Sequence, residues 1–187
     1  MAGAVSPAPA WHETDADGAV EQLYAAHWRS LVRLSYLLVR DLGTAEEVVQ
    51  DAFVAVHRRW EGIRDPQSAL AYLRRAVVNG SRSRLRHLKV VRTHAERQPP
   101  PADVRGADEA LLETSRREAV MEALAALPRR QREVLALRYY VDLSEADIAE
   151  TLGISRGAVK SHASRGAASL RESLADHLAD NLEDPHD

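Results

Sequence analysis

The sequence predicts an all-α protein built as two small helical domains joined by a flexible linker. Three observations predict it. Ala, Leu, Arg and Glu, all good helix formers, dominate the 187 residues. Aromatic residues make up only 5%, and β-branched runs, the usual mark of strands, are scarce. Apolar residues recur every three or four positions through successive segments, with Gly, Pro and capping residues between them.

Residues 1–17 are small, Pro-containing and acidic, a composition that favours disorder. From about Ala19 the stripe Val20, Leu23, Tyr24, His27, Leu31, Leu34, Ser35, Leu38 has helical spacing, and Gly43 is expected to end that helix. Thr44, with Glu47 three residues on, reads as a capping box that opens the second helix. Its stripe is Val48, Val49, Ala52, Phe53, Val56 and Trp60, and Gly62 breaks it. Asp65 and Pro66 start a third helix, with Pro in the first turn, where its missing N–H costs nothing. That helix carries Leu70, Leu73, Val77, Val78 and Leu85. These helices define a first domain over residues 18–92.

Pro99, Pro100, Pro101 and Gly106 place a linker over 93–108, because successive prolines supply no backbone donors. The second domain, 109–172, opens on the stripe Leu111, Leu112, Ala119, Val120, Leu124, Leu127. Pro128 restarts the chain, and Val134, Leu135, Leu137 and Tyr140 continue the stripe. Residues 173–187 form an acidic tail, which reads as solvated; weakening non-specific DNA binding or touching a regulator are the alternatives. A tether between two small domains lets two contact surfaces sit far apart while both engage one partner.

Residues 144 to 171 read SEADIAETLGISRGAVKSHASRGAASLR. Ser144 can cap a helix, with Asp147 three residues later. Ile148, Ala149 and Leu152 share a face, Gly153 stops the helix, and Ser155 can cap a second one. The second helix turns Ala158, Val159 and His162 inward, leaving Arg156, Lys160, Ser161 and Arg165 to point outward. A tight Gly turn and a basic second helix make a helix-turn-helix, whose second helix suits a DNA major groove. A plain packing hairpin is the bland alternative, but it needs neither two caps nor exposed cations.

Charge agrees with nucleic acid as a partner. The net charge of -3 hides a run from Arg74 to Arg97 with eight Lys or Arg and one acid, Glu96. From Glu172 onward there are six acids and no Lys or Arg. A locally basic face can hold a polyanion whatever the total charge.

Other classes fall away. The chain has no cysteine, which excludes disulfides and thiolate zinc sites. Neither a Gly-rich phosphate loop nor an HExxH cluster occurs, and the histidines are scattered, so no catalytic residue, cofactor or metal site is expected. The first residues, MAGAVSPAPAWHETDADGA, resemble neither a signal peptide nor an anchor. No apolar run approaches the roughly 18 residues a membrane span needs. The expectation is a soluble cytoplasmic protein that is not an enzyme.

Three stretches together resemble the bacterial extracytoplasmic-function RNA polymerase sigma factors, in particular the actinobacterial sigma-E type. GTAEEVVQDAFVAVHRRW, from Gly43 to Trp60, resembles the helix by which the family's sigma-two domain binds the polymerase clamp. ALAYLRRAVVNGSRSRLR, from Ala69 to Arg86, resembles the helix that recognises and melts the -10 element. LPRRQREVLALRYYVDLSEADIAETLGISRGAVKSHASR, from Leu127 to Arg165, resembles the sigma-four domain, which binds the -35 element. The resemblance implies core RNA polymerase and promoter DNA as partners, and leaves open an anti-sigma factor, which the family commonly uses.

It also implies residue roles. Glu47, Gln50 and Asp51 stand where the family contacts the clamp. Asn79 stands where it reads a flipped-out -10 base, since an amide can pair with an unstacked base edge; an Asn merely breaking the helix beside Gly80 is the alternative. Arg74, Arg75, Arg82, Arg84 and Arg86 would hold phosphates there. Arg156, Lys160, Ser161 and Arg165 would contact the -35 element. The chain departs from the family pattern in having few aromatics before the melting helix, with Tyr72 and Trp60 alone. Lys160 also stands where Arg is common, which loses bidentate geometry.

A LuxR-type transcription regulator is the alternative reading, since it also carries an LxxREREVL-like segment before a helix-turn-helix. A protein that holds polymerase without reading DNA is a third. The helical amino-terminal half with its basic run favours the sigma factor over both.

Overall fold

The computed structural model describes residues 16–63, 65–94 and 108–180. Seven α-helices occur among the described residues, and no strand. The first three, α1 (Ala16–Val39), α2 (Leu42–Arg58) and α3 (Pro66–His94), pack mutually as a three-helix unit. A short 3-10 turn, Trp60–Gly62, joins α2 to the segment before α3. Leu31, Leu34 and Leu38 from α1, Val48, Val49, Phe53 and Val56 from α2, and Leu73, Val77 and Val78 from α3 are buried together. These are the residues the three- and four-residue spacing selects.

The α1–α2 junction differs from the expected one. α1 ends at Val39, and Arg40 makes the turn at φ 60, a left-handed conformation that costs a non-glycine residue about 1 kcal/mol. Asp41 then caps α2, its carboxylate accepting the Thr44 backbone N–H at 2.7 Å. Gly43 lies inside the first turn of α2 and does not end α1. Thr44 is not the cap: it lies inside the first turn of α2, and its own amide is the one that Asp41 accepts. Glu47 is therefore free of a capping role and exposed. At α3, Asp65 accepts the Ser68 amide at 2.8 Å, as the Asp-Pro start predicts.

The second half comprises α4 (Asp108–Ala126), α5 (Arg129–Leu135), a π-helical turn (Ala136–Tyr140), α6 (Glu145–Leu152) and α7 (Arg156–Asp180). Ala119, Ala123 and Leu127 line the inner face of α4 and its exit, whereas Val120 is exposed. Tyr24 and Tyr140, also counted into stripes above, are partly exposed. Tyr24 lies at the edge of the core, stacked on Trp28 with ring centroids 4.7 Å apart.

Element boundaries shift accordingly. Ala16 and Asp17 belong to α1, Thr93 and His94 to α3, and Asp108 to α4. The start of the acidic tail continues α7 as far as Asp180. Residues 1–15, 95–107 and 181–187, including Pro99, Pro100, Pro101 and Gly106, lie outside the described residues.

The two halves touch. α1 packs against the π-helical turn and α4, and α3 packs against α6. Buried residues of both halves form one continuous cluster. The surfaces expected to sit apart on a tether are thus held together in this structure. The polar contacts of that junction come from α3, the helix that carries Asn79, and from Arg132 of α5, which donates to the Leu38 carbonyl at the end of α1 at 3.0 Å.

Candidate nucleic-acid interface

The helix-turn-helix is built by its caps. The Ser144 hydroxyl accepts the Asp147 amide at 3.2 Å and donates to the Asp147 carboxylate at 2.6 Å. Gly153 takes φ 65, and both bonds of a Schellman stop form: Gly153 N–H to Glu150 C=O and Ile154 N–H to Ala149 C=O. Ser155 then caps α7 by accepting the Ala158 amide at 3.1 Å. Val159 and Ala163 are buried against the rest of the unit, and His162 is half-buried. Gly166 lets α7 approach α5 closely, since a Cβ there would lie 3.1 Å from Gln131 Cβ and Leu135 Cδ1.

Arg156, Lys160, Ser161 and Arg165 are all exposed on the outer face of α7. The Arg165 guanidinium donates to Ser161 Oγ at 2.9 Å, so these two side chains are ordered together. Lys160 Nζ lies 3.7 Å from Glu145, which also accepts from Arg138 at 3.3 Å. Glu145 orients a candidate groove contact, and sequence reasoning did not single it out.

On α3 the helix runs unbroken through Asn79 and Gly80, so Asn79 does not act as a helix breaker. Asn79 is exposed, and its Oδ1 accepts from Arg82 Nη1 at 3.0 Å. Gly80 allows α3 to lie close on α2: a Cβ there would stand 2.9 Å from Val48 Cγ1. Buried Ser35 and Ser81 share a hydrogen bond of 3.0 Å, which pins the same part of α3 to α1.

The five candidate phosphate-holding arginines have different surroundings. Arg82 forms a two-pronged ion pair with Glu133 of α5, at 2.6 and 2.8 Å. Arg75 donates to Glu150 of α6 at 2.8 Å. Arg74 is half-buried; burial lowers its pKa, and the Asp147 carboxylate acts in the opposite sense. Arg84 faces the other way, 3.2 Å from Glu47 and 3.5 Å from Asp51. Arg86 is exposed. An open cleft of about 460 Å³ separates α3 from α6, lined by Tyr72, Arg74, Arg75, Asp147, Glu150 and Thr151 among others.

Glu47, Gln50 and Asp51 all lie exposed on the outer face of α2, off the apolar stripe. Arg84 ties Glu47 and Asp51 to α3, so the candidate clamp contacts and the candidate strand contacts sit on adjoining helices. The arrangement offers amides and cations for a polyanion and a separate acidic-polar patch for a protein. Among the described residues, no group of three or more His, Cys, Asp or Glu could hold a metal ion. No described helix is long and apolar enough to cross a membrane.

Comparison with known proteins places both halves. Residues 23–90 match the model for sigma-70 region 2, and residues 117–170 match the model for sigma-70 region 4. The chain is 37% identical over 145 residues to an RNA polymerase sigma-E factor of Streptomyces avermitilis, covering 78% of this chain and 79% of that protein. It is 33% identical over 156 residues to the ECF RNA polymerase sigma factor SigM of Mycobacterium tuberculosis, covering 83% and 77%. Among solved structures it is similar to CnrH, in complex with the cytosolic domain of CnrY, with TM-score 0.65, 26% identity, and coverage of 89% of this chain and 93% of that one. The match of the amino-terminal half leaves the LuxR-type reading without support. The chain belongs to the RNA polymerase sigma factors, in the extracytoplasmic-function group and of the sigma-E type.

Proposed function

We propose that this sigma factor binds core RNA polymerase through α2 and grips a promoter at two points, α7 in the major groove of the -35 element and α3 on the -10 strand. Glu47, Gln50 and Asp51 contact the clamp. Arg156, Lys160, Ser161 and Arg165 contact the -35 element. Asn79 captures an unstacked -10 base, while Arg74, Arg75, Arg82 and Arg86 hold the phosphates around it; Arg84, turned to Glu47 and Asp51 in the free protein, joins them only on leaving those carboxylates. The protein does no covalent chemistry and works in the cytoplasm, where the polymerase is. A restraining partner, an anti-sigma factor, is proposed by analogy with CnrH, which is solved in complex with the cytosolic domain of CnrY.

The observation that best supports this reading is Asn79. It is exposed on an unbroken helix, beside Arg82 and directly before the glycine that sets α3 on α2. A structural Asn would be buried or would end the helix. The test separates capture from assembly. Asn79→Ala should lower open-complex formation on a promoter while leaving the affinity for core polymerase unchanged. A matching loss of polymerase binding would make Asn79 structural and remove its role in strand capture.

A further inference from the structure

We propose that Ser164, on the outer face of α7, is a specificity-determining residue of the -35 grip: its hydroxyl meets a base edge in the major groove, while Lys160 and Arg165 hold the DNA backbone on either side. The inference rests on the reading of α7 given above. The helical period fixes the layout. Val159, Ala163 and Gly166 are buried and mark the inner side of the helix. At about 100° per residue, Ser161 and Ser164 fall almost opposite them, and Lys160 and Arg165 fall on opposite flanks. Ser164 is exposed.

Both cations are held to their flanks. Lys160 Nζ lies 3.7 Å from Glu145 of α6. Arg165 folds back along its own helix, Nη2 donating to Ser161 Oγ at 2.9 Å and Nε to the Ser161 carbonyl at 3.3 Å. A cation drawn to the flank of a groove-bound helix meets the phosphates that line the groove. Ser161 Oγ is thus already engaged by Arg165. Ser164 is different. A serine inside a helix commonly returns its hydroxyl to a carbonyl of the preceding turn, as Ser30 does to His27 at 2.9 Å. Among the described residues, the Ser164 hydroxyl has no hydrogen-bond partner. It stays an unused donor and acceptor near the centre of the outer face, able to meet either kind of base edge.

A hydroxyl one carbon from the backbone reaches a base only when the helix lies deep in the groove. Gly157, exposed in the first turn of α7, permits that approach. The fold does not require glycine there: an added Cβ would stand 3.9 Å from Ser155 Oγ, an ordinary contact. Gly153 and Gly166 differ, one held at φ 65 and the other pressed on α5.

The test uses core RNA polymerase with the full-length protein. A promoter that the wild type transcribes is randomised around -35 over about one helical turn of DNA, and each transcript is read through a downstream barcode. Ser164→Ala should cut the preference at one or two neighbouring base pairs about two- to tenfold, the effect of one hydrogen bond, and leave the other positions as they were. Alanine is the better helix former, so stability should not fall. Ser164→Thr, which keeps the hydroxyl, should keep the preferred bases. Lys160→Ala should lower output from all sequences alike, and so should Gly157→Leu, with helical circular dichroism unchanged.

An unchanged preference profile in Ser164→Ala overturns the proposal, as does an equal loss at every position, which would make Ser164 a general contact. A Gly157→Leu protein as active as the wild type overturns the close seating on which Ser164 depends. A Lys160→Ala profile altered at the same base pairs as in Ser164→Ala moves the base contact to the lysine and overturns the assignment. If Gly157→Leu loses its helical circular dichroism, Ser164→Ala decides by itself. Wild-type transcription with no base preference around -35 overturns the underlying reading of α7; preferences that are present yet insensitive to Ser164 overturn only this inference.

Discussion

Arg82 of α3 grips Glu133 of α5 through two hydrogen bonds, of 2.6 and 2.8 Å, across 51 positions of sequence. Removing one partner of such a buried pair leaves an uncompensated charge. Glu133→Ala should lower stability by about 3 kcal/mol, the lower end for buried pairs, because Arg82 retains some exposure. Replacing both partners with apolar residues of similar size, Arg82→Met with Glu133→Leu, should recover most of that loss. Urea unfolding followed by circular dichroism measures both. A double variant as unstable as Glu133→Ala would mean that Glu133 acts mainly through Arg129 and Arg130.

Gly80 sets how closely α3 lies on α2. Ala is normally favoured over Gly in a helix by about 1 kcal/mol. Here the added methyl would stand 2.9 Å from Val48 Cγ1, and a β-branched valine in a helix is stiff at χ1 and yields at a cost. Gly80→Ala should therefore destabilise the protein, by about 1–2 kcal/mol of overpacking net of the propensity gain. In a Val48→Ala background the same change should cost less or stabilise. Additive effects across the cycle would contradict the contact.

Asp41 gives the α2 start a pH dependence. Its carboxyl is held below its ordinary pKa, chiefly by the Thr44 hydroxyl and then by the Thr44 amide. A carboxylate depressed in the folded state contributes stability that is present above the unfolded pKa and lost as pH falls through the folded one. The contribution should thus be intact at pH 6 and fade below about pH 4. Asp41→Ala should cost about 1 kcal/mol at pH 6. The gap between variant and wild type should narrow towards pH 3. A gap that stays constant with pH would assign the loss to something other than the ionised cap.

Lys160 is a point charge on the outer face of α7, steadied by Glu145 at 3.7 Å. Lys160→Ala should weaken -35 DNA binding and reduce the slope of log affinity against log salt by about 1 if the lysine meets a phosphate. Sequence discrimination lost with little change in slope would place it on a base edge instead. Glu145→Ala should leave the slope intact and alter discrimination, because it removes the orienting contact and no DNA contact. Filter binding across a salt series on promoter fragments reads both.

Much of the fold was legible because its signals are local. The caps at Ser144 and Ser155, the Gly153 stop and the Asp65 start depend on neighbours three residues away, and they form as the spacing dictates. The α2 start lies earlier than Thr44 suggests because Asp41 and Thr44 both carry capping oxygens, and only the chain path, with α1 ending at Val39, shows that the helix begins at Leu42 and that Asp41 caps it. Asn79 as a helix breaker beside Gly80 stays open in the sequence, which does not reveal that Val48 lies against that glycine. Glu133 was missed for a similar reason. In RRQRE its partners at three and four positions look like a solvated face, and nothing local indicates that Arg82, 51 residues away, buries it. The candidate site residues were placed by the order of three family-like stretches. Their partners across the junction come from tertiary packing.

Run-off transcription with purified core RNA polymerase, on fragments of the source genome, is the decisive measurement. Adding this protein should yield discrete promoter-specific transcripts that core enzyme alone does not make, and Asn79→Ala should reduce them severalfold. Polymerase that binds the protein yet starts at no defined site on any fragment would contradict the two-point promoter grip.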